Sequence, residues 1–142
     1  MERTQAKLQS LLTLWQQKRG NRLIPSRGDM PVSTLRPWLG HLALIDLTGA
    51  TPYFRLCGTS LHARFGGEMT GQKLDAMQDA FGRRELLSCI EKAKRTLNPA
   101  PAVHKVTAGH DHTTFHEVCL PLGHDGETPD TMLLACYAEQ RQ

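Results

Sequence analysis

Histidines 110, 112 and 116 form the one constellation with metal-ligand character in this 142-residue chain. Residues two apart on a strand project to one face, where imidazole nitrogens can converge on a zinc-type ion. No carboxylate or cysteine stands at ligand spacing beside them, and Gly109 with Thr113 and Thr114 reads as a hairpin tip, so solvated side chains are the competing account. Arg55 is a second group of interest because it interrupts the apolar run Tyr53-Phe54-Arg55-Leu56-Cys57. Turned inward, its guanidinium requires a carboxylate or an anionic ligand; turned outward, it is an ordinary surface cation. Cys57, Cys89, Cys119 and Cys136 are widely separated and contain no CxxC pair, which favours small buried hydrophobes over a disulfide framework and leaves a thiol redox sensor as the alternative. Asp75 and Asp79 read as solvated charges, and GxSxG, P-loop and HExxH motifs are all missing, so no catalytic activity is expected.

The length suits one domain that buries roughly two thirds of its unfolded surface. Seventeen basic and fourteen acidic residues give a net charge of +3, too mild and too interspersed to require nucleic acid or an anionic membrane. Lys18, Arg19, Arg22, Arg27 and Arg36 lie near Trp15 and Trp38 but accompany no nucleic-acid motif, and they read as a solvated basic face. The N-terminus has no apolar signal region, and no stretch approaches the roughly 18 apolar residues needed to span a bilayer. A cytoplasmic location is expected. Arg27-Gly28-Asp29, which spells an adhesion tripeptide, is expected to be a turn.

These residues must be positioned by a short series of elements. Leu8, Leu11, Leu12 and Trp15 recur at helical spacing, with Lys18 and Arg19 in the last turn and Gly20 as the stop, so residues 1–20 form an amphipathic helix. Three prolines make 21–40 an extended connection. Strands are expected at 41–48 and from Tyr53, where Phe54 and Leu56 alternate with Arg55 and Cys57 and Gly58 permits a sharp exit. Short helical pieces follow from Leu61 to about Gln78. The main helix runs from Phe81 to Leu97, with Leu86, Ile90, Ala93 and Leu97 as its buried stripe. Strands at 102–108, 114–122 and 131–138 close the chain. The order predicts an α+β fold.

The stretch Tyr53 to Leu74, YFRLCGTSLHARFGGEMTGQKL, resembles a PAS-like family of bacterial sensory domains, in which a strand ending in Gly-Thr leads into short helices marked by Phe-Gly and Thr-Gly. Upstream, Leu23-Ile24-Pro25-Ser26-Arg27 with Asp29, Pro31 and Leu35 looks like the segment before that family's first strand. Downstream, residues 116–122 and 130–138 are similar to its last two strands. The histidine-rich His110-Asp111-His112 departs from the pattern.

The resemblance implies a five-stranded antiparallel sheet of order 2-1-5-4-3 with helices on one face, occupying residues 41–140. It implies a stand-alone sensory or regulatory module that binds a small molecule or a signalling partner. Candidate cavity residues are Tyr53, Arg55, His62, Phe65, Met69, Cys89 and Tyr137. The cofactor is left unassigned: the long helix contains no histidine for the commonest PAS haem arrangement, and no motif specifies haem or flavin. The apolar stripe Leu8, Leu11, Leu12 and Trp15 is expected to serve a homodimer or a signalling partner, with folding back of Trp15 onto the sheet as the other outcome. A protein-interaction adaptor with a filled core, and a small metal-binding protein using the three histidines, are the alternative functions.

Overall fold

The strands carry apolar side chains on both faces, so neither side of the sheet can be left to water. In the computed structural model, which describes residues 2–108 and 110–139, both sides are covered. Strands β1 (Leu42–Asp46), β2 (Tyr53–Cys57), β3 (Ala100–Ala108), β4 (Asp111–Leu122) and β5 (Thr131–Ala138) form one antiparallel sheet of order β2-β1-β5-β4-β3, as the resemblance implies. Helix α1 (Glu2–Arg19) precedes the sheet, and a four-residue helix α2 (Val32–Leu35) lies in the connection. Between β2 and β3 come α3 (His62–Phe65), a glycine-interrupted loop and α4 (Ala80–Thr96).

Period-two alternation sorts the side chains. Ala43, Ile45, Phe115, Cys119, Met132, Leu134 and Cys136 face α3 and α4, where they meet Leu61, Phe65, Met69, Leu74, Met77, Leu86, Cys89 and Ile90. Leu42, Leu44, Val118, Leu120, Leu122, Leu133, Ala135 and Tyr137 face the other way and are covered by Leu8, Leu11, Trp15, Ile24, Met30, Leu35 and Trp38. The N-terminal helix therefore lies on its own sheet. Trp15 is buried, and its indole N–H donates to the Pro121 carbonyl at 2.9 Å; the Trp38 indole donates to the Lys7 carbonyl at 2.9 Å. Both large rings thus bury their apolar area without leaving a polar atom unpaired. This corrects the assignment of Leu8, Leu11 and Trp15 to a dimer surface. They are spent within the chain, and Leu12 is half-buried against the same cluster.

The simple alternation expected in β2 is broken. Ala43, Leu44, Ile45 and Asp46 stand opposite Cys57, Leu56, Phe54 and Tyr53, so Arg55 is the extra residue of a β-bulge. The bulge lets Phe54 and Cys57, three apart, both face α3 and α4, and it turns Leu56 to the other face. Gly58 has φ −65°, which any residue can adopt. Glycine is needed there because a Cβ would overlap the Gly40 carbonyl.

Two further boundaries differ in detail, and the turn expected at Arg27–Asp29 is present. The β3–β4 hairpin is longer than expected, with Ala108 opposite Asp111; Gly109, assigned to its tip, lies outside the described residues. Leu97 ends α4 in the left-handed region (φ 56°) and packs toward the second face, so the buried stripe of α4 is Gly82, Leu86, Cys89, Ile90 and Ala93. Arg27–Asp29 is a 3-10 turn closed by a Ser26–Asp29 capping box.

Candidate functional site

A charged cluster is enclosed between the helical cap and the sheet. Glu117 lies on β4 between Phe115 and Cys119, on the face that α3 and α4 cover, and its side chain is fully excluded from water. Arg64 descends from α3, also fully excluded, and its Nε donates to Glu117 Oε2 at 2.6 Å. His104 on β3 brings Nε2 to 2.6 Å from Glu117 Oε1 and Nδ1 to 3.4 Å from Glu85 Oε2 on α4. Four elements thus place an arginine, a histidine and two carboxylates around one point.

Burial by itself pushes the Glu117 carboxyl upward, but His104 and Arg64 outweigh it and hold the group below its ordinary 4.5. The carboxylate stays charged because its partners replace the water it has lost. Arg64 is less completely served. Its Nη1 and Nη2 are buried and have no hydrogen-bond partner among the described residues. They lie at the start of α4, where a Cβ on Gly82 would come within 3.1 Å of Nη1 and still closer to the Asp79 carboxylate. A side chain at 82 would displace the Asp79 carboxylate first and crowd the guanidinium as well.

Thiols border the cluster. Cys89 donates to the Ala100 carbonyl at 3.2 Å and hydrogen-bonds Cys119, which lowers its pKa, whereas the same bond and burial push the Cys119 thiol well up. Burial, reinforced by the Glu117 charge, also raises Cys136 well above its ordinary value. All four cysteines are free and buried.

The structure disperses the seven residues proposed for the cavity. Phe65, Met69 and Cys89 lie in the core beneath the cap, where Phe65 meets Phe54 edge to face at 5.2 Å between centroids. Tyr53 is exposed at the sheet edge. Arg55 points outward from its bulge to Asp46, with Nη2 to Oδ2 at 2.8 Å, so the inward reading is overturned. His62 is on the outer side of the cap, paired with Glu68 at 3.2 Å. Tyr137 belongs to the opposite face and stacks on His41. The histidine set is also divided. His110 lies at the hairpin end, His112 Nδ1 is 3.1 Å from the Thr107 hydroxyl, and His116 Nε2 is 3.6 Å from Glu139. Among the described residues, no three His, Cys, Asp or Glu side chains are grouped to hold a metal.

Arg64, His104 and Glu117 were absent from the candidates read off the sequence. A signal existed for Glu117, since it shares the period-two face of Phe115 and Cys119 and stands directly before the apolar run Val118–Leu122. No local pattern announces Arg64 or His104, whose burial depends on the packing of α3 and α4 over the sheet.

The comparisons with known proteins agree with this architecture. Among curated proteins none matches this chain. Among solved structures, the chain is similar to the Rhodobacter sphaeroides LOV protein, with a TM-score of 0.55 at 15% identity over 71% of this chain and 60% of that one. It is similar also to the PAS domain of Bordetella pertussis BvgS, with a TM-score of 0.55 at 13% identity over 71% of this chain and 77% of that one. The chain thus spans about 60% of the length of the first of these, and at such identities the likeness is one of fold. A family model described as PAS domain matches residues 3–136, from the first turn of α1 into β5, and on that match the chain belongs to the PAS domain family.

Proposed function

We propose that this chain is a sensory or regulatory module without catalytic output, in which a small molecule bearing a hydrogen-bond acceptor engages Arg64 beneath the helical cap. Repacking of α3 and α4 over the sheet then changes what the domain associates with. One observation carries the reading: a fully buried guanidinium uses Nε on Glu117 and leaves Nη1 and Nη2 without partners. Unpaired buried donors are unfavourable, and a carboxylate or carbonyl group placed against the fork would satisfy both at once. The glycine-interrupted segment between α3 and α4 supplies the part that opens.

Association is with a second copy of this chain or with a signalling protein. Leu8, Leu11 and Trp15 do not form that surface unless α1 leaves the sheet, because they are buried beneath it. The histidine hairpin is not proposed as a metal site.

The filled-core adaptor is the second reading, and the dense apolar packing around Phe65, Met69 and Leu86 favours it. Native and denaturing mass spectra of freshly purified protein separate the two. A reproducible extra mass, lost on denaturation and absent from Arg64→Gln, supports the ligand-binding module. Protein at its calculated mass, with no stabilisation by a panel of small carboxylic acids, favours the adaptor.

A further inference from the structure

On the side of the sheet opposite the charge cluster, a cleft of about 440 Å³ opens between the first turns of α1 and the end of β5. Arg3 and Lys7 border it from α1, Pro37 and His41 from the segment before β1, and Tyr137 from β5. The α1 N-terminus adds its partial positive charge to the two cations. Lys7 is held in place by its Nζ donating to the Pro37 carbonyl at 3.2 Å.

The aromatic floor is ordered. The His41 ring stacks on Tyr137 with centroids 4.1 Å apart and planes 14° from parallel, and its Nδ1 lies 3.3 Å from the Cys136 carbonyl. A carbonyl only accepts, which assigns the proton to Nδ1. Tyr137 is only 7% exposed, and its hydroxyl is shut off from water with no hydrogen-bond partner among the described residues. Burial pushes that phenol up to about 12, so it is a neutral donor. An unused buried donor, two cations and a helix N-terminus border the same cleft, with Pro37 and the stacked rings as its apolar walls. Glu139 on the rim is the opposing charge, and it lies 3.6 Å from His116.

We infer that this cleft binds a small carboxylate with an apolar body, its carboxylate taken by Arg3, Lys7 and the Tyr137 hydroxyl and its body laid against Pro37 and the His41–Tyr137 stack. The hydroxyl is sealed, so the ligand reaches it by lifting the first turn of α1, and occupancy is coupled to the seating of that helix. The inference does not depend on the Arg64 site.

Benzoate titrated into the full chain, followed by amide NMR, is the test. The expected result is saturable shifts confined to the first turns of α1, to His41 and to residues 136–139. Tyr137→Phe keeps the ring and should weaken benzoate about tenfold, the effect of one hydrogen bond. Lys7→Gln, at a half-exposed position, should weaken it while leaving the fold intact. Any of three results overturns the inference: no saturable shift at the cleft, equal affinity in Tyr137→Phe, or inorganic phosphate binding there in preference to benzoate. Shifts that map instead to α3 and the start of α4 would overturn it while supporting the Arg64 reading.

Discussion

Arg64 and Glu117 lie 53 positions apart in sequence and meet at 2.6 Å with both side chains wholly inside the protein. Their relationship ties the helical cap to the middle of the sheet. Enclosed charges of this kind are poor sources of net stability but sensitive ones, because removing either partner strands the other in a medium of low polarity.

Substitution at this pair should therefore be asymmetric in its effects. Glu117→Gln or Arg64→Met alone is expected to destabilise the fold by about 3–5 kcal/mol in urea unfolding, whereas Arg64→Met combined with Glu117→Leu should recover much of that loss. Single variants within about 1 kcal/mol of the parent would show that the pair carries little.

The same carboxylate sets an acid limit. Its folded-state pKa is depressed below 4.5, so the folded state binds fewer protons than the unfolded chain, and the stabilisation is present above pH 4.5 and lost as pH falls through the lower folded value. Unfolding free energy should decline in that window, and the decline should be shallower in Glu117→Gln. Identical pH slopes for the two proteins would remove Glu117 from the explanation.

Helix α1 should behave as part of the domain. Trp15→Ala deletes a buried ring and the hydrogen bond to Pro121, and is expected to cost about 3–5 kcal/mol, measured by denaturant unfolding. Deleting residues 2–19 should uncover Leu120, Leu133 and their neighbours and bring aggregation, detectable by light scattering. A stable, monodisperse truncated protein would show that the helix is dispensable.

The thiols should differ in reactivity. The hydrogen bond from Cys119 lowers the pKa of Cys89, while Cys119 and Cys136 are raised, so a thiol reagent applied to the native protein should label Cys89 ahead of those two. Peptide mapping after a brief exposure checks the order. Labelling of Cys119 or Cys136 first would mean that the cap opens more readily than its packing suggests.

Much of the architecture is written locally. Apolar periodicity located α1, α4 and all five strands, because burying a face requires a repeat of about 3.6 on a helix and 2 on a strand. The last strand has the predicted bounds, residues 131–138. Periodicity also marked Leu8, Leu11, Leu12 and Trp15 as an apolar stripe, since spacing reveals that a face must be covered. It does not reveal what covers it; only the folded chain decided that the cover is β4 and β5.

The site was decided almost wholly by tertiary structure. Arg55 and Glu117 are each a charge within a strand, Arg55 inside an apolar run and Glu117 at the head of one. Arg55 stays on the exposed side that it shares with Tyr53 and the inserted residue redirects Leu56 and Cys57 beyond it, whereas unbroken alternation turns Glu117 under the cap. Register is a property of two strands, so neither outcome can be read from one. Arg64 and His104 become meaningful only once α3 and β3 converge on Glu117 from opposite ends of the sheet order, a contact between distant segments that no local spacing encodes.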